Sequence, residues 1–242
     1  MLSQGRPDAP RGFAASLAGH RAEGLGVIAE VKRRSPSLGP LVEHLEVEPL
    51  VDAYRSGGAS CLSVLTDATS FGGSAEDLAA ARATVALPVL RKDFTVAPND
   101  VADAWVMGAD AVLLIAAVLD DGELARLSSL AHDLGLDVLC EVHDQAELER
   151  ALSLEVAMIG VNQRDLVTFK VDHDRAVHLA AQIPQSVVAV AESGVRGVED
   201  ATALAAAGYD AVLVGEHLVK ADDPSAALGA LVGHRIGSRG SR

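Results

Sequence analysis

Val27-Ile28-Ala29-Glu30-Val31-Lys32 is an apolar run that closes on two opposite charges. Four further runs end in a functional polar group: Leu87-Pro88-Val89-Leu90-Arg91-Lys92, Asp137-Val138-Leu139-Cys140-Glu141, Met158-Ile159-Gly160-Val161-Asn162 and Val188-Ala189-Val190-Ala191-Glu192-Ser193-Gly194. A charge at the end of a buried strand is costly unless it is paired or used. When strands are parallel, those ends converge on one mouth, where barrel-shaped enzymes keep their chemistry.

Outward from these runs the chain alternates strand and helix. Strands are predicted at 26–31, 60–65, 87–91, 110–116, 137–142, 157–161, 187–191 and 210–214, all short and rich in Val, Leu, Ile and Ala. In 46–56, Val47, Leu50, Val51 and Tyr54 form a helical stripe; in 120–134, Leu124, Leu127, Leu130, Ala131 and Leu134 do the same. Ser74 before Ala-Glu-Asp marks a helix start. Gly58, Gly108, Gly135 and Gly208 stand where helix C-caps are expected. Gly108-Ala109-Asp110-Ala111-Val112-Leu113-Leu114 is echoed by Gly208-Tyr209-Asp210-Ala211-Val212-Leu213-Val214, with Gly58-Ala59-Ser60-Cys61-Leu62-Ser63-Val64 a weaker third copy. Duplication, or convergence of any βα repeat on one junction, explains the echo.

Eight units in about 215 residues match the count and size of a (β/α)8 TIM barrel. A doubly wound open sheet would carry a glycine-rich fingerprint after its first strand; Lys32-Arg33-Arg34-Ser35-Pro36-Ser37 stands there instead. The expected α/β architecture is one barrel domain over 1–242. It comprises a short N-terminal extension (1–24, with one helix within 11–22), the barrel (25–232) and a loose tail (233–242); residues 1–10 are expected to be loose as well.

Hydrophobic residues make up 49% of the chain and aromatics 3%, so the core is built from aliphatic side chains, as suits parallel strands. A net charge of -14 argues against nucleic acid and anionic membrane surfaces as partners. An anionic ligand would need local cations, which Arg33, Arg34, Arg91, Lys92 and Arg164 could supply. Cys61 and Cys140 lie in apolar runs and read as core residues in a reducing compartment. There is no leader pattern and no run of membrane-spanning length, so a cytoplasmic protein is expected. The histidines show no metal-ligand spacing, and His143 reads as a loop residue.

Glu30 and Lys32 are two apart on one strand and face the same way as Ile28, while Ala29 and Val31 face the helices. They form either a working pair or an ion pair that plugs the mouth. Lys92 can be a general acid or a Schiff-base nucleophile, held charged by Asp93 or by a glutamate across the mouth; a snorkelling surface lysine is the alternative. Desolvation is expected to raise the proton affinity of Glu141 and suit it to base work, or Glu141 pairs a lysine. Asn162 can orient a substrate and Arg164 can clamp a carboxylate or phosphate. Ser193-Gly194 and Gly215-Glu216 follow adjacent strands with small residues, so backbone N–H groups there can approach an anion, with a short helix beginning near Glu216.

Together the runs Ile28–Ser37, Ser63-Val64-Leu65-Thr66, Phe71-Gly72-Gly73-Ser74, Leu90–Phe94, Gly108-Ala109-Asp110, Asn162–Leu166 and Ala191–Gly194 resemble the indole-3-glycerol phosphate synthase family. The resemblance implies ring closure, decarboxylation and dehydration of 1-(2-carboxyphenylamino)-1-deoxyribulose 5-phosphate, with no cofactor or metal. It implies Lys92 as general acid in ring closure, Lys32 as a substrate contact and later acid, Glu141 as base or stabiliser of a cationic intermediate, Glu30 as support for the proton relay, and Asn162 as a positioning group. Arg164 would brace the site, and Ser35 and Glu192 would join in holding the substrate. Ser193, Gly194, Gly215 and Glu216 would hold its phosphate; Leu65, Phe71, Phe94 and Leu114 would pocket its aromatic ring.

Three departures stand out. The segment before the first strand is shorter than is usual, where the family carries an extra helix near the mouth. Glu216 stands where serine is common, and Ala97-Pro98-Asn99-Asp100 differs from the usual polar and aromatic pattern. The expected partner is a small anionic sugar phosphate, and the expected state a monomer, with a weak homodimer as the alternative. A related phosphate-binding barrel isomerase and a non-catalytic phosphate-binding paralogue are the rival readings.

Overall fold

Parallel strands need a crossover between them, and the alternating sequence supplies a helix for the purpose. The structure is a computed structural model that describes residues 5–6, 8–36, 39–42, 44–164 and 171–239. Strands β1 (Gly26–Val31), β2 (Cys61–Leu65), β3 (Val89–Lys92), β4 (Ala111–Ile115), β5 (Asp137–Val142), β6 (Met158–Asn162), β7 (Val188–Glu192) and β8 (Ala211–Val214) pair in parallel and close into a barrel, β8 joining β1. Around it lie α1 (Phe13–His20), α2 (Val47–Ser56), α3 (Ala75–Thr84), α4 (Pro98–Met107), α5 (Asp121–Asp133), α6 (Gln145–Leu152), α7 (His173–Ala180), α8 (Val198–Ala206), α9 (Glu216–Val219) and α10 (Pro224–Gly229). Ser74 caps α3 by accepting from Asp77 N at 3.1 Å. Asp120 and Glu123 close a capping box on α5. After β1 a short hairpin pairs Arg34–Ser35 with Gly39–Pro40, a feature with no strand-like signal in the sequence. No helix among the described residues is long and apolar enough to cross a membrane.

Strand alternation sorts the core into two shells. Val27, Ala29 and Val31 pack outward against the helices, whereas Ile28, Cys61, Leu90, Leu139, Met158 and Ala211 pack inside the barrel. Leu114 belongs to the outer shell. Its expected place in a ring pocket is therefore wrong by one residue, which in a strand is the difference between the two faces; Leu113 and Ile115 point inward instead.

The helix expected within 11–22 lies across the bottom of the barrel, not at the mouth. Phe13 and Leu17 of α1 are buried in the inner cluster, and Ala14 N donates to Asp137 Oδ2 at 2.9 Å at the start of β5. The described parts of both tails are tied down there rather than loose. Arg6 donates to Asp110 Oδ1 at 3.0 Å. Arg239, only 4% exposed, lies 3.1 Å from Asp210 Oδ2 and donates to Val187 O.

The sequence echo is a structural one. Asp110 and Asp210 open strands four places apart in the ring, after Gly108 and Gly208 at φ 91° and 99°. Each carboxylate accepts from a neighbouring strand, Val89 N and Ala189 N, both at 2.8 Å. The weaker copy makes the same junction with a hydroxyl: Val27 N donates to Ser60 Oγ at 3.3 Å.

Candidate active site

Each barrel strand, followed upward, puts a new inward residue at every second position, so the top of the barrel is a ring of strand-end side chains. Glu30 lies level with Ser63, Leu65 with Lys92, Ile115 with Glu141, and Asn162 with Glu192. All of these except Ser63 line a cleft of about 1220 Å³. Of the residues singled out from the sequence, Glu30, Lys32, Ser35, Leu65, Phe71, Lys92, Phe94, Glu141, Asn162, Arg164, Glu192, Ser193, Gly194, Gly215 and Glu216 all line it, and Leu114 does not.

The charges form two neighbouring groups, one around Lys92 and one made of Lys32 and Glu30, close enough for the Glu30 charge to act on Lys92 and Glu192. Lys92 Nζ donates to Glu141 Oε2 at 2.8 Å and to Glu192 Oε2 at 2.6 Å. Lys32 Nζ sits 2.5 Å from Glu30 Oε1, and Ser63 Oγ reaches Glu30 Oε2 at 3.5 Å. Asn162 Nδ2 donates to Glu141 Oε1 at 3.0 Å, and its own Oδ1 accepts from Arg164 N at 3.0 Å. Asp93 does not hold Lys92; it pairs with Arg91 at 2.9 Å. Arg33 turns away to Asp77. Glu192, expected to help hold the substrate, stands within the charge cluster.

Two glycines make room for these carboxylates. A Cβ on Gly160 would fall 1.9 Å from Glu192 Oε1, and one on Gly215 would fall 2.4 Å from Glu30 Oε1. The first position carried no signal in the sequence; the second was marked only as an anion turn.

Protonation follows from the crowding. Burial alone would lower the Lys92 pKa, but the charges of Glu141, Glu192 and Glu30 outweigh it and hold the ammonium well above the usual lysine range. An amine so held stays protonated, which suits proton donation and disfavours attack as a free amine. The expectation for Glu141 is overturned. Burial pushes its carboxyl up, but Lys92, His143 and Asn162 more than reverse that, and it is held well below the usual carboxylate range. The proton affinity rises at Glu192 instead. Burial, with the charges of Glu141 and Glu30 added, pushes it up to about 7 against the pull of Lys92. Its Oε1 has no hydrogen-bond partner among the described residues.

His143 is a part of the site that sequence reading passed over as loop. It is 8% exposed. Its Nδ1 lies 3.0 Å from Glu147 Oε2 and its Nε2 3.4 Å from Glu141 Oε1. Burial opposes its charge, but the two carboxylates prevail and raise its pKa to about 9. The available signal was His143 and Glu147 spaced i, i+4 at the start of α6. Among the described residues no group of three His, Cys, Asp or Glu side chains is arranged to hold a metal ion.

Ser193-Gly194 and Gly215-Glu216 line the same cleft beside the charge cluster, with α9 starting at Glu216. Glu216 pairs with Lys220 at 2.8 Å. Leu65, Phe71, Phe94, Leu113, Ile115 and Val118 form the apolar wall.

The profile of the family described as indole-3-glycerol phosphate synthase matches residues 2–231. The chain is 49% identical over 216 residues to the indole-3-glycerol phosphate synthase of Mycobacterium ulcerans (strain Agy99), covering 89% of this chain and 79% of that one. It is 49% identical over 217 residues to the protein of the same name from Mycobacterium leprae (strain TN), covering 90% and 80%. Among solved structures, 3-hexulose-6-phosphate synthase from Salmonella typhimurium superposes with TM-score 0.67 at 14% identity, covering 86% of this chain and 96% of that one. Thiamine phosphate pyrophosphorylase from Pyrococcus furiosus does so with TM-score 0.64 at 16% identity, covering 87% and 95%. These two show the fold alone.

Proposed function

The chain belongs to the indole-3-glycerol phosphate synthase family, carboxy-lyases of tryptophan biosynthesis, and we propose the following division of labour among its own residues. The substrate is 1-(2-carboxyphenylamino)-1-deoxyribulose 5-phosphate. Its phosphate sits on the backbone N–H groups after Ser193 and Gly215, and its ring lies against Leu65, Phe71, Phe94, Leu113 and Ile115. Anchoring at both ends brings the ring carbon that bears the carboxylate up to the ketone.

A carbon–carbon bond forms as the ketone π pair moves onto oxygen, and that oxygen takes a proton from Lys92. An alkoxide is basic enough to accept it even from a lysine held this strongly charged. The carbon–carboxylate bond then breaks, CO2 departs, and its electron pair restores the ring. Lys32 protonates the hydroxyl, which leaves as water while the nitrogen lone pair forms a cation. Glu141, permanently ionised, stabilises that cation. Glu192, poised near neutrality, accepts the last ring proton. Glu30 holds Lys32 in place and Asn162 holds Glu141. Arg164 and Ser35 complete the hold on the substrate.

The observation that carries this reading is Lys92 fixed between Glu141 and Glu192 in a cleft with one apolar wall. The reading includes a cytoplasmic monomer, in keeping with the free buried thiols of Cys61 and Cys140.

The test is indole fluorescence after mixing the protein with the carboxyphenylamino-deoxyribulose phosphate. Lys92→Met is expected to fold and to lose at least about a hundredfold in turnover, as removal of a general acid does. Wild-type turnover in that variant would remove Lys92 from the mechanism.

A further inference from the structure

Ser193 has φ 66°, the only positive value among the described non-glycine residues. A side chain makes that left-handed conformation unfavourable, so something must hold it. Gln163 does. This residue, fully buried just after β6, donates from Nε2 to Ser193 O at 2.8 Å. Its Oε1 contacts His173 Nδ1 at 2.7 Å. A carbonyl can only accept, so the amide nitrogen of Gln163 has to face Ser193. Its oxygen is thereby left for His173, whose Nδ1 must carry the proton.

Two further contacts clamp the same turn. Gln163 N donates to Glu192 O at 3.0 Å, one residue before Ser193. Val171 closes over the next residue, where a Cβ on Gly194 would lie 2.5 Å from Val171 Cγ1. Gln163 does not itself line the cleft, whereas His173 does, so Gln163 acts on a ligand through what it holds, the Ser193 turn on one side and His173 on the other.

We propose that Gln163, oriented by His173, is a positioning residue for the phosphate end of the site. By gripping the Ser193 carbonyl it turns the following N–H groups into the mouth and keeps them there before substrate arrives. The inference rests on the phosphate being held at Ser193-Gly194, and the experiment separates the two.

Steady-state constants are measured for wild type and Gln163→Leu, together with competitive inhibition by inorganic phosphate. In the variant, KM and the phosphate Ki are expected to rise together by about tenfold, the scale of one lost hydrogen bond, while kcat stays within about twofold. His173→Phe, at a ring 39% exposed and therefore tolerant of change, is expected to move both constants the same way by about threefold. His173→Gln, which can still donate to Gln163, is expected to restore them.

If phosphate does not compete in the wild type, the phosphate reading of the turn falls. If it competes, and Gln163→Leu leaves KM and Ki unchanged or lowers kcat alone, only the positioning role is overturned. Should Gln163→Leu fail to fold, unchanged constants in His173→Phe overturn it equally.

Discussion

The two ends of this barrel bury charge in opposite ways. At the bottom, Asp110 lies between Arg6 and Arg82, and Asp210 between Arg21 and Arg239, so each buried carboxylate faces two guanidinium groups and a strand N–H. At the mouth the balance is reversed: Glu30, Glu141 and Glu192 share Lys32 and Lys92. The lower arrangement pairs its carboxylates and ties Arg6 and Arg239 onto the barrel. The upper one leaves Glu192 Oε1 without a partner among the described residues and its carboxyl pushed up to about 7. Saturated charge serves stability, whereas unsaturated charge is what proton transfer needs.

Breaking the lower end should cost the most. Asp110→Asn leaves Arg6 without its anion and Arg82 with only the exposed Asp8, and is expected to lower unfolding free energy by about 3–5 kcal/mol. Chemical denaturation at pH 7 measures this, with turnover per folded molecule unchanged. A loss under about 1 kcal/mol would make the two ends equivalent.

The mouth should declare itself in pH dependence. Glu192 must be ionised to accept a proton, and its carboxyl is pushed up to about 7. The kcat/KM profile is therefore expected to fall about tenfold per unit below that pH. A profile flat down to pH 5 would assign the base elsewhere.

At the rim the contrast is sharpened within one residue. Glu216 is paired with Lys220, so its charge is largely spent before a phosphate arrives. Glu216→Ser is expected to lower KM by only about two- to fivefold, by removing an anion from the first turn of α9. A rise in KM would mean that Glu216 contributes directly to binding.

How much of this was legible in the sequence depends on the distance between partners. Glu30, Lys32, Lys92 and Glu141 were readable because a charge at the end of an apolar run is a local anomaly. The period-two alternation gave their direction, and the same alternation, misplaced by one residue, produced the error at Leu114. The Gly-x-Asp echo was visible, but not its purpose, because Arg6, Arg21, Arg82 and Arg239 come from distant parts of the chain. The protonation of Glu141 was misjudged for a related reason. Burial is a local inference, whereas the lysine that reverses its effect lies 49 residues away. Gly160 and Gln163 gave no signal because each acts through a neighbour on another strand.

The central claim is that the mouth holds one carboxylate more than its lysines can satisfy, and that chemistry is the reason. The folded state binds the Glu192 proton more tightly than the unfolded chain does. Its contribution to stability is therefore lost as pH rises from the ordinary carboxylate range through about 7. The direct measurement is urea unfolding of wild type and Glu192→Gln at pH 5 and pH 8. The variant is expected to be more stable than wild type by about 2 kcal/mol at pH 8, with most of that gain gone at pH 5. A variant less stable than wild type at pH 8 would contradict the account, because Glu192 would then be a satisfied structural partner of Lys92.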